Sequence, residues 1–163
     1  MNFVVASKVQ LAIVRDLAYK IWPPTFEKIL STEQIDYMLN MMYSMASLEE
    51  QLQSNRVFLL AEEGNGFIGF ASYEVNFDNS NKTKIHKLYV LPETQGKGVG
   101  RQLIDFITDI ALKNQDTILH LTVNKYNKAT DFYLKNGFEV TEEVVFDIGN
   151  GYVMDDYIME KKL

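Results

Sequence analysis

Gly96, Gly98 and Gly100 stand at alternate positions in the stretch Lys87-Leu-Tyr-Val-Leu-Pro-Glu-Thr-Gln-Gly-Lys-Gly-Val-Gly-Arg-Gln-Leu-Ile104. Residues of this type at this spacing bind anions. Glycine lets the main chain turn where other residues cannot and lets a ligand approach the backbone closely. The residues after the turn open an amphipathic helix whose first N–H groups have no partner within the helix. Those donors and the helix dipole together favour negative charge, and a diphosphate is the natural occupant. Arg101 and Lys97 add cationic charge. Two familiar phosphate loops are excluded by counting. A dinucleotide fingerprint needs a third glycine three residues after the second, and that place holds Arg101 or Leu103. A Walker loop needs Ser or Thr after Gly-Lys, but Gly98 follows Gly96-Lys97. The pattern that remains is Gln95-x-x-Gly98-x-Gly100, directly after a run ending in Leu-Pro.

The elements that must hold this loop follow from periodicity. Lys84 to Leu91 reads as the strand leading into it, and Leu103, Ile104, Ile107, Ile110 and Ala111 form the apolar face of the helix leaving it. Upstream, Phe3 to Ala6 is a short strand, and Ser7 is placed to cap a helix with the stripe Val9, Ala12, Ile13, Leu17 and Ile21. Pro23-Pro24 is expected to interrupt that helix after Trp22. Ser31-Thr-Glu-Gln34 reads as a capping box for a helix burying Ile35, Met38, Leu39, Met42 and Met45, and Ser47-Leu-Glu-Glu50 as the start of a shorter one. Val57 to Ala61 and Phe67 to Phe77 form a hairpin around Glu62 to Gly66. Asp78 to Asn81 makes the next turn. Thr117 to Val123 is a further strand, and Ala129 to Asn136 a short helix closed by Gly137. Phe138 to Val145 and Tyr152 to Met159 are two strands joined around Gly149-Asn-Gly151. No repeat or linker divides the chain, so the expectation is one α/β (α+β) domain over residues 1–163 with a mostly antiparallel sheet flanked by helices.

Composition narrows the function classes. The 163 residues carry 16 basic and 22 acidic side chains, a net charge of −6, which argues against nucleic-acid binding. Mild acidity suits a cationic substrate, although acidic surfaces also serve solubility. With no cysteine there is no disulfide framework, thiolate metal site or cysteine nucleophile, and the two histidines, His86 and His120, are too few for an all-histidine metal site. No signal peptide and no membrane-length apolar run is evident, so no metal, no membrane and a cytoplasmic location are the expectations.

The glycine loop closely resembles the acetyl-coenzyme A pyrophosphate loop of the GNAT superfamily of N-acetyltransferases. A second segment, Leu121-Thr-Val-Asn124-Lys-Tyr-Asn127-Lys-Ala-Thr-Asp-Phe-Tyr133-Leu-Lys-Asn-Gly137-Phe138, is similar to the other hallmark of that superfamily. The resemblance implies a central strand pair splayed into a V that accepts the pantetheine arm, whose amides meet the exposed backbone groups. It implies acetyl-CoA as cosubstrate, with Leu88, Tyr89 and Val90 along the arm. Gln95, Gly96, Lys97, Gly98, Val99, Gly100 and Arg101 would hold the diphosphate, and Asn124, Asn127 and Tyr133 would add contacts from the second segment. The spacing from Asn127 to Tyr133 is one residue shorter than is usual in the superfamily, which makes the Asn127 contact the least secure of these. The amino-terminal Trp22-Pro-x-Thr25-Phe26, Ile29 to Leu39 and Met42-Tyr-Ser44, and the ending Gly149 to Met159, are similar to bacterial acetyltransferases near the polyamine acetyltransferases.

The implied reaction is direct acetyl transfer from a thioester to an amine. By resemblance Tyr133 is the acid that protonates the departing thiolate, since a phenol titrating near ~10 keeps its proton at neutral pH. The Val90 N–H would meet the oxyanion. His86, on the strand before the loop, is a candidate base for the amine, and reads equally as a hydrogen-bonded sheet residue. Tyr73, Glu74, Asp155 and Asp156 are candidates for an anionic acceptor pocket, with a solvated acid pair at the hairpin the alternative for the last two. The acceptor is expected to be a small-molecule amine, polyamines being one class. A protein or peptide acetyltransferase and a non-catalytic acyl-CoA-binding protein are the competing readings. A homodimer is an expectation by analogy with the superfamily alone.

Overall fold

The computed structural model describes residues 1–163. The elements in chain order are β1 (Asn2–Val5), α1 (Leu11–Phe26), α2 (Thr32–Tyr43), α3 (Met45–Gln53), β2 (Val57–Glu63), β3 (Gly66–Glu74), β4 (Lys82–Val90), α4 (Val99–Lys113), β5 (Ile118–Asn124), α5 (Ala129–Lys135), β6 (Glu139–Gly149) and β7 (Tyr152–Lys162). Strand order is β1-β2-β3-β4-β5-β7-β6. The β1–β2, β2–β3, β5–β7 and β6–β7 pairs are antiparallel and β4–β5 is parallel, the mixed sheet expected from the sequence. No helix is long and apolar enough to cross a membrane.

The chain forms two compact units, and β4 contributes to both: Met1–Glu74 with His86–Ile107, and Val75–Ile85 with Thr108–Leu163. In the first unit, α1 packs against α2, α3 and β3. Its core includes Leu11, Val14, Leu17, Ala18, Ile21 and Trp22 from α1, with Phe58, Leu60 and Phe70 from the sheet. The buried stripe of α1 therefore differs from the one the sequence suggests: Val9 is 87% exposed and precedes the helix. Ser7 is not the cap either. The residue before the helix is Gln10, whose side-chain carbonyl instead accepts from the Ser7 N–H.

Pro23 and Pro24 do not end α1, which continues to Phe26. Two proline nitrogens leave the carbonyls of Tyr19 and Lys20, one helical turn back, without their usual donors. Both of those residues are exposed. The turn is held beyond them by the Thr25 hydroxyl donating to the Ile21 carbonyl at 2.7 Å and by the Glu27 N–H donating to the Pro23 carbonyl at 2.9 Å. Ser31 caps α2 as read, its Oγ accepting from the Gln34 N–H at 3.1 Å, while the Gln34 side-chain Nε2 lies 3.8 Å from Met38 Sδ. The next cap lies three residues earlier than read. Ser44, not Ser47, accepts the amide three positions on, and α3 begins at Met45.

In the second unit the β4–β5 ladder runs from Lys82↔Ile118 to Ile85↔Leu121. Its start is clamped by the buried Asp116 carboxylate, whose Oδ2 accepts from Thr83 Oγ1 at 2.6 Å and from the Asn76 N–H at 3.0 Å. His120 is a satisfied sheet residue: its Nδ1 lies 2.8 Å from Glu160 Oε2, and its ring stacks on Phe77. Burial alone would raise the Glu160 carboxyl, but hydrogen bonds from Lys82 and His120 hold it below the usual carboxylate range. Strand β6 stands at one end of the strand order, mostly exposed, with two bulges against β7.

Candidate active site

The loop between β4 and α4 is built as its glycines demand. Gly96 and Gly98 take φ of +80° and +81°, in the left-handed region where a side chain is strained. A Cβ at Gly96 would meet nothing within 4 Å, and one at Gly98 only Gln102 Nε2 at 4.0 Å, so the space in front of the main chain is open. Gln95 to Gly98 and Arg101 are exposed, while Val99 is buried and anchors the first turn of α4. An open, positive-φ turn running into a helix start fits a diphosphate: the first amides of a helix lack intrahelical partners, and no side chain fills the space at Gly96. Arg101 reaches back to Asp105 at 3.9 Å, a loose exposed pair that leaves its charge usable by an anion.

The strand before the loop is fixed from its far side. The Tyr89 ring packs with Phe70, Trp22 and Phe26 at centroid distances of 5.7, 5.8 and 6.5 Å. This explains why α1 must carry Trp22 and Phe26 through two prolines: they seat the strand segment whose backbone the resemblance assigns to the cofactor arm. Val90 is buried, and the Leu91 N–H donates to the Ile68 carbonyl at 2.8 Å. Gly69 lies against the same segment. A Cβ there would stand 2.8 Å from the Tyr89 carbonyl oxygen and 3.2 Å from Val90 Cα, so only glycine permits this approach. Glycine inside a strand is the one sequence signal that could have marked Gly69.

Two predicted residues of the first unit meet. His86 Nε2 lies 3.1 Å from Glu74 Oε2, with side chains 7% and 20% exposed. Tyr73, the residue before Glu74 on β3, is buried, and burial pushes its phenol up. Lys87, the next residue on β4 after His86, is buried, its Nζ 4.9 Å from the centre of the Tyr43 ring. Neither the His86–Glu74 pair nor the burial of Lys87 was legible in the sequence, because strand alternation alone does not say which cross-strand side chains touch.

In the second unit Tyr133 is buried between Phe132 and Phe138, at ring distances of 5.2 and 5.5 Å, and burial pushes its phenol well above its ordinary value. Both asparagines of the second motif shape the turn before α5. Asn124 Oδ1 accepts from the Tyr126 N–H and Asn127 Oδ1 from the Ala129 N–H, each at 2.9 Å. Asn127 thus spends its oxygen on the helix start, and a contact to a ligand would come from its Nδ2 donor. The two hairpin acids part company. Asp155 pairs with Lys125 at 2.9 Å, and Lys125 also reaches Glu143 at 3.3 Å. Asp156, opposite Asn124 on β5, is 2% exposed, and burial, reinforced by Asp155, raises its carboxyl to about 6. No group of histidine, aspartate and glutamate side chains here could hold a metal ion.

The sequence pattern of the acetyltransferase (GNAT) domain matches residues 27–160. The chain belongs to the GNAT acetyltransferase family. It is 31% identical over 153 residues, 90% of this chain and 88% of the relative, to a spermidine N(1)-acetyltransferase of Thermoplasma acidophilum. An L-amino acid N-acyltransferase of Escherichia coli is 32% identical over 89 residues, about half of each chain. Among solved structures, a PaiA N-acetyltransferase of Thermoplasma acidophilum in complex with coenzyme A superposes with a TM-score of 0.82 over the full length of both chains, at 29% identity. This GNAT protein is accordingly an N-acetyltransferase that uses acetyl-CoA.

Proposed function

We propose that this GNAT enzyme, acting as one domain, acetylates a primary amine of a small cationic molecule, a polyamine by preference. The observation that carries the reading is the nearly full-length similarity to a spermidine N(1)-acetyltransferase. The net charge of −6 and the buried acid Asp156 agree with it. Acetyl-CoA supplies an activated acyl group, and the chain supplies everything else. The Gly96–Arg101 loop takes the diphosphate, and Leu88 to Val90 take the arm.

His86 removes a proton from the acceptor ammonium, directly or through water, because only the neutral amine has a lone pair to attack with. As the C–N bond forms, the Val90 N–H meets the negative oxygen. When the C–S bond breaks, Tyr133 protonates the sulfur and recovers a proton from the newly bonded nitrogen. The balance is one ammonium and one thioester in, one amide, one thiol and one proton out.

The test is thiol release from acetyl-CoA with spermidine, spermine, simple monoamines, free amino acids and short peptides as acceptors. The reading expects kcat/KM for the polyamines to exceed that for the other classes by at least about tenfold, worth ~1.4 kcal/mol of transition-state binding. Preference for free amino acids would favour the activity class of the Escherichia coli relative, and preference for peptides a protein-modifying role.

A further inference from the structure

The geometry points to Glu74 as the positioning residue for the His86 imidazole, a carboxylate–imidazole pair bridging β3 and β4 rather than one acid among several in an acceptor pocket. The inference rests on the acetyl-transfer reading for its function, though the pairing itself stands on geometry. His86 Nε2 and Glu74 Oε2 are 3.1 Å apart, and the side chains are 7% and 20% exposed, so solvent competes weakly for either. An ionised carboxylate can only accept a hydrogen bond, so the imidazole must donate, and its Nε2 carries the hydrogen. In the neutral ring the basic lone pair then belongs to Nδ1, and the ring plane is fixed by its partner.

That is the state a general base must hold before it acts: one defined basic nitrogen at one defined orientation. When Nδ1 accepts the ammonium proton, the cation forms against a carboxylate already in place, and nothing has to reorganise. The other histidine shows what a different setting does. The Glu160 carboxylate on His120 is shared with Lys82 at 2.7 Å, so an ammonium already claims part of its charge. A glutamate whose task was to receive the acceptor would have to leave His86 to do so. A glutamate whose task is to hold His86 is already where it works.

The experiment is a double-substitution cycle with a spectroscopic arm on the full-length protein. Glu74→Ala, His86→Ala and the double variant are assayed for polyamine kcat and KM at saturating acetyl-CoA, with CoA affinity measured by calorimetry. The pairing predicts that Glu74→Ala and His86→Ala each lower kcat by about tenfold or more, and that the double variant is no worse than the poorer single one. CoA affinity should hold throughout. Glu74→Gln, which keeps an acceptor oxygen but no charge, should recover part of the kcat lost in Glu74→Ala.

Proton NMR should show a slowly exchanging imidazole N–H, coupled to His86 Nε2, in the wild-type protein and in neither alanine variant. Strictly additive losses, or a rise in acceptor KM at constant kcat in Glu74→Ala, would make Glu74 an acceptor contact and overturn the inference. So would an absent wild-type resonance. A wild-type protein that turns over no amine but shows the resonance would sink the acetyl-transfer reading and leave the pair standing.

Discussion

A phenol that is to give up a proton at the end of a reaction must first keep it. Burial beside Phe132 and Phe138 raises the Tyr133 phenol, so the acid proposed above holds its proton at any physiological pH. Tyr133→Phe keeps the packing and removes the proton. It should lower kcat by about 100-fold while leaving the KM for acetyl-CoA within about twofold, as steady-state kinetics would show.

Asp156 makes the opposite kind of prediction. Its carboxyl titrates at about 6 in the fold against an ordinary value of 3.8, burial being the main cause. Between those values the folded chain binds more protons than the unfolded one, so stability falls as pH rises from about 4 to about 6 and stays reduced above. Asp156→Asn should raise stability at neutral pH by on the order of 1 kcal/mol and give no gain near the lower end of that window, read as Tm against pH. If Asp156 faces the acceptor, the same variant raises the acceptor KM.

Helix and strand types were legible wherever one period dominated. The α2 cap at Ser31 and the turn at Gly96 and Gly98 could be read directly, because local chemistry decides them. The misreadings share a cause, the tertiary setting. Pro23-Pro24 signals a stop, yet α1 continues to Phe26, with Trp22 and Phe26 flanking the prolines and packing with Tyr89. Ser44 and Ser47 are equally good caps as residues, and only the packing of α2 and α3 selects the first.

Gly69 is the element-scale test. Gly69→Ala sets a methyl against main-chain atoms that cannot rotate away, and should cost about 1–3 kcal/mol by thermal unfolding. The displacement falls on Tyr89 and Val90. Affinity for intact CoA should therefore drop, while that for adenosine 3′,5′-diphosphate, which lacks the pantetheine arm, should change little, as paired calorimetric titrations would show.

At the scale of the whole chain, a net charge of −6 would favour the approach of the cationic acceptor proposed above. For a polyamine acceptor, kcat/KM should fall several-fold as salt rises from about 0.05 to about 0.5 M, where screening shortens to a few ångströms, and much less for a monoamine. Equal salt sensitivity for both would mean that the field plays no part in acceptor choice. The candidate cofactor loop was readable in the sequence because it is contiguous. The His86–Glu74 pair was not, since its members are joined only by the fold.

The charge has a second use at the far edge of the sheet. Strand β6 ends the strand order with Val140, Val145 and Phe146 exposed, an open ladder of backbone groups beside apolar side chains. Two bulges and the carboxylates of Glu139, Glu142, Glu143 and Asp147 lie along it. Irregular, like-charged edges repel a second edge laid against them. Acidification or neutral substitutions along β6 would remove that repulsion, and self-assembly through strand-on-strand growth would begin there while the rest of the chain was still native.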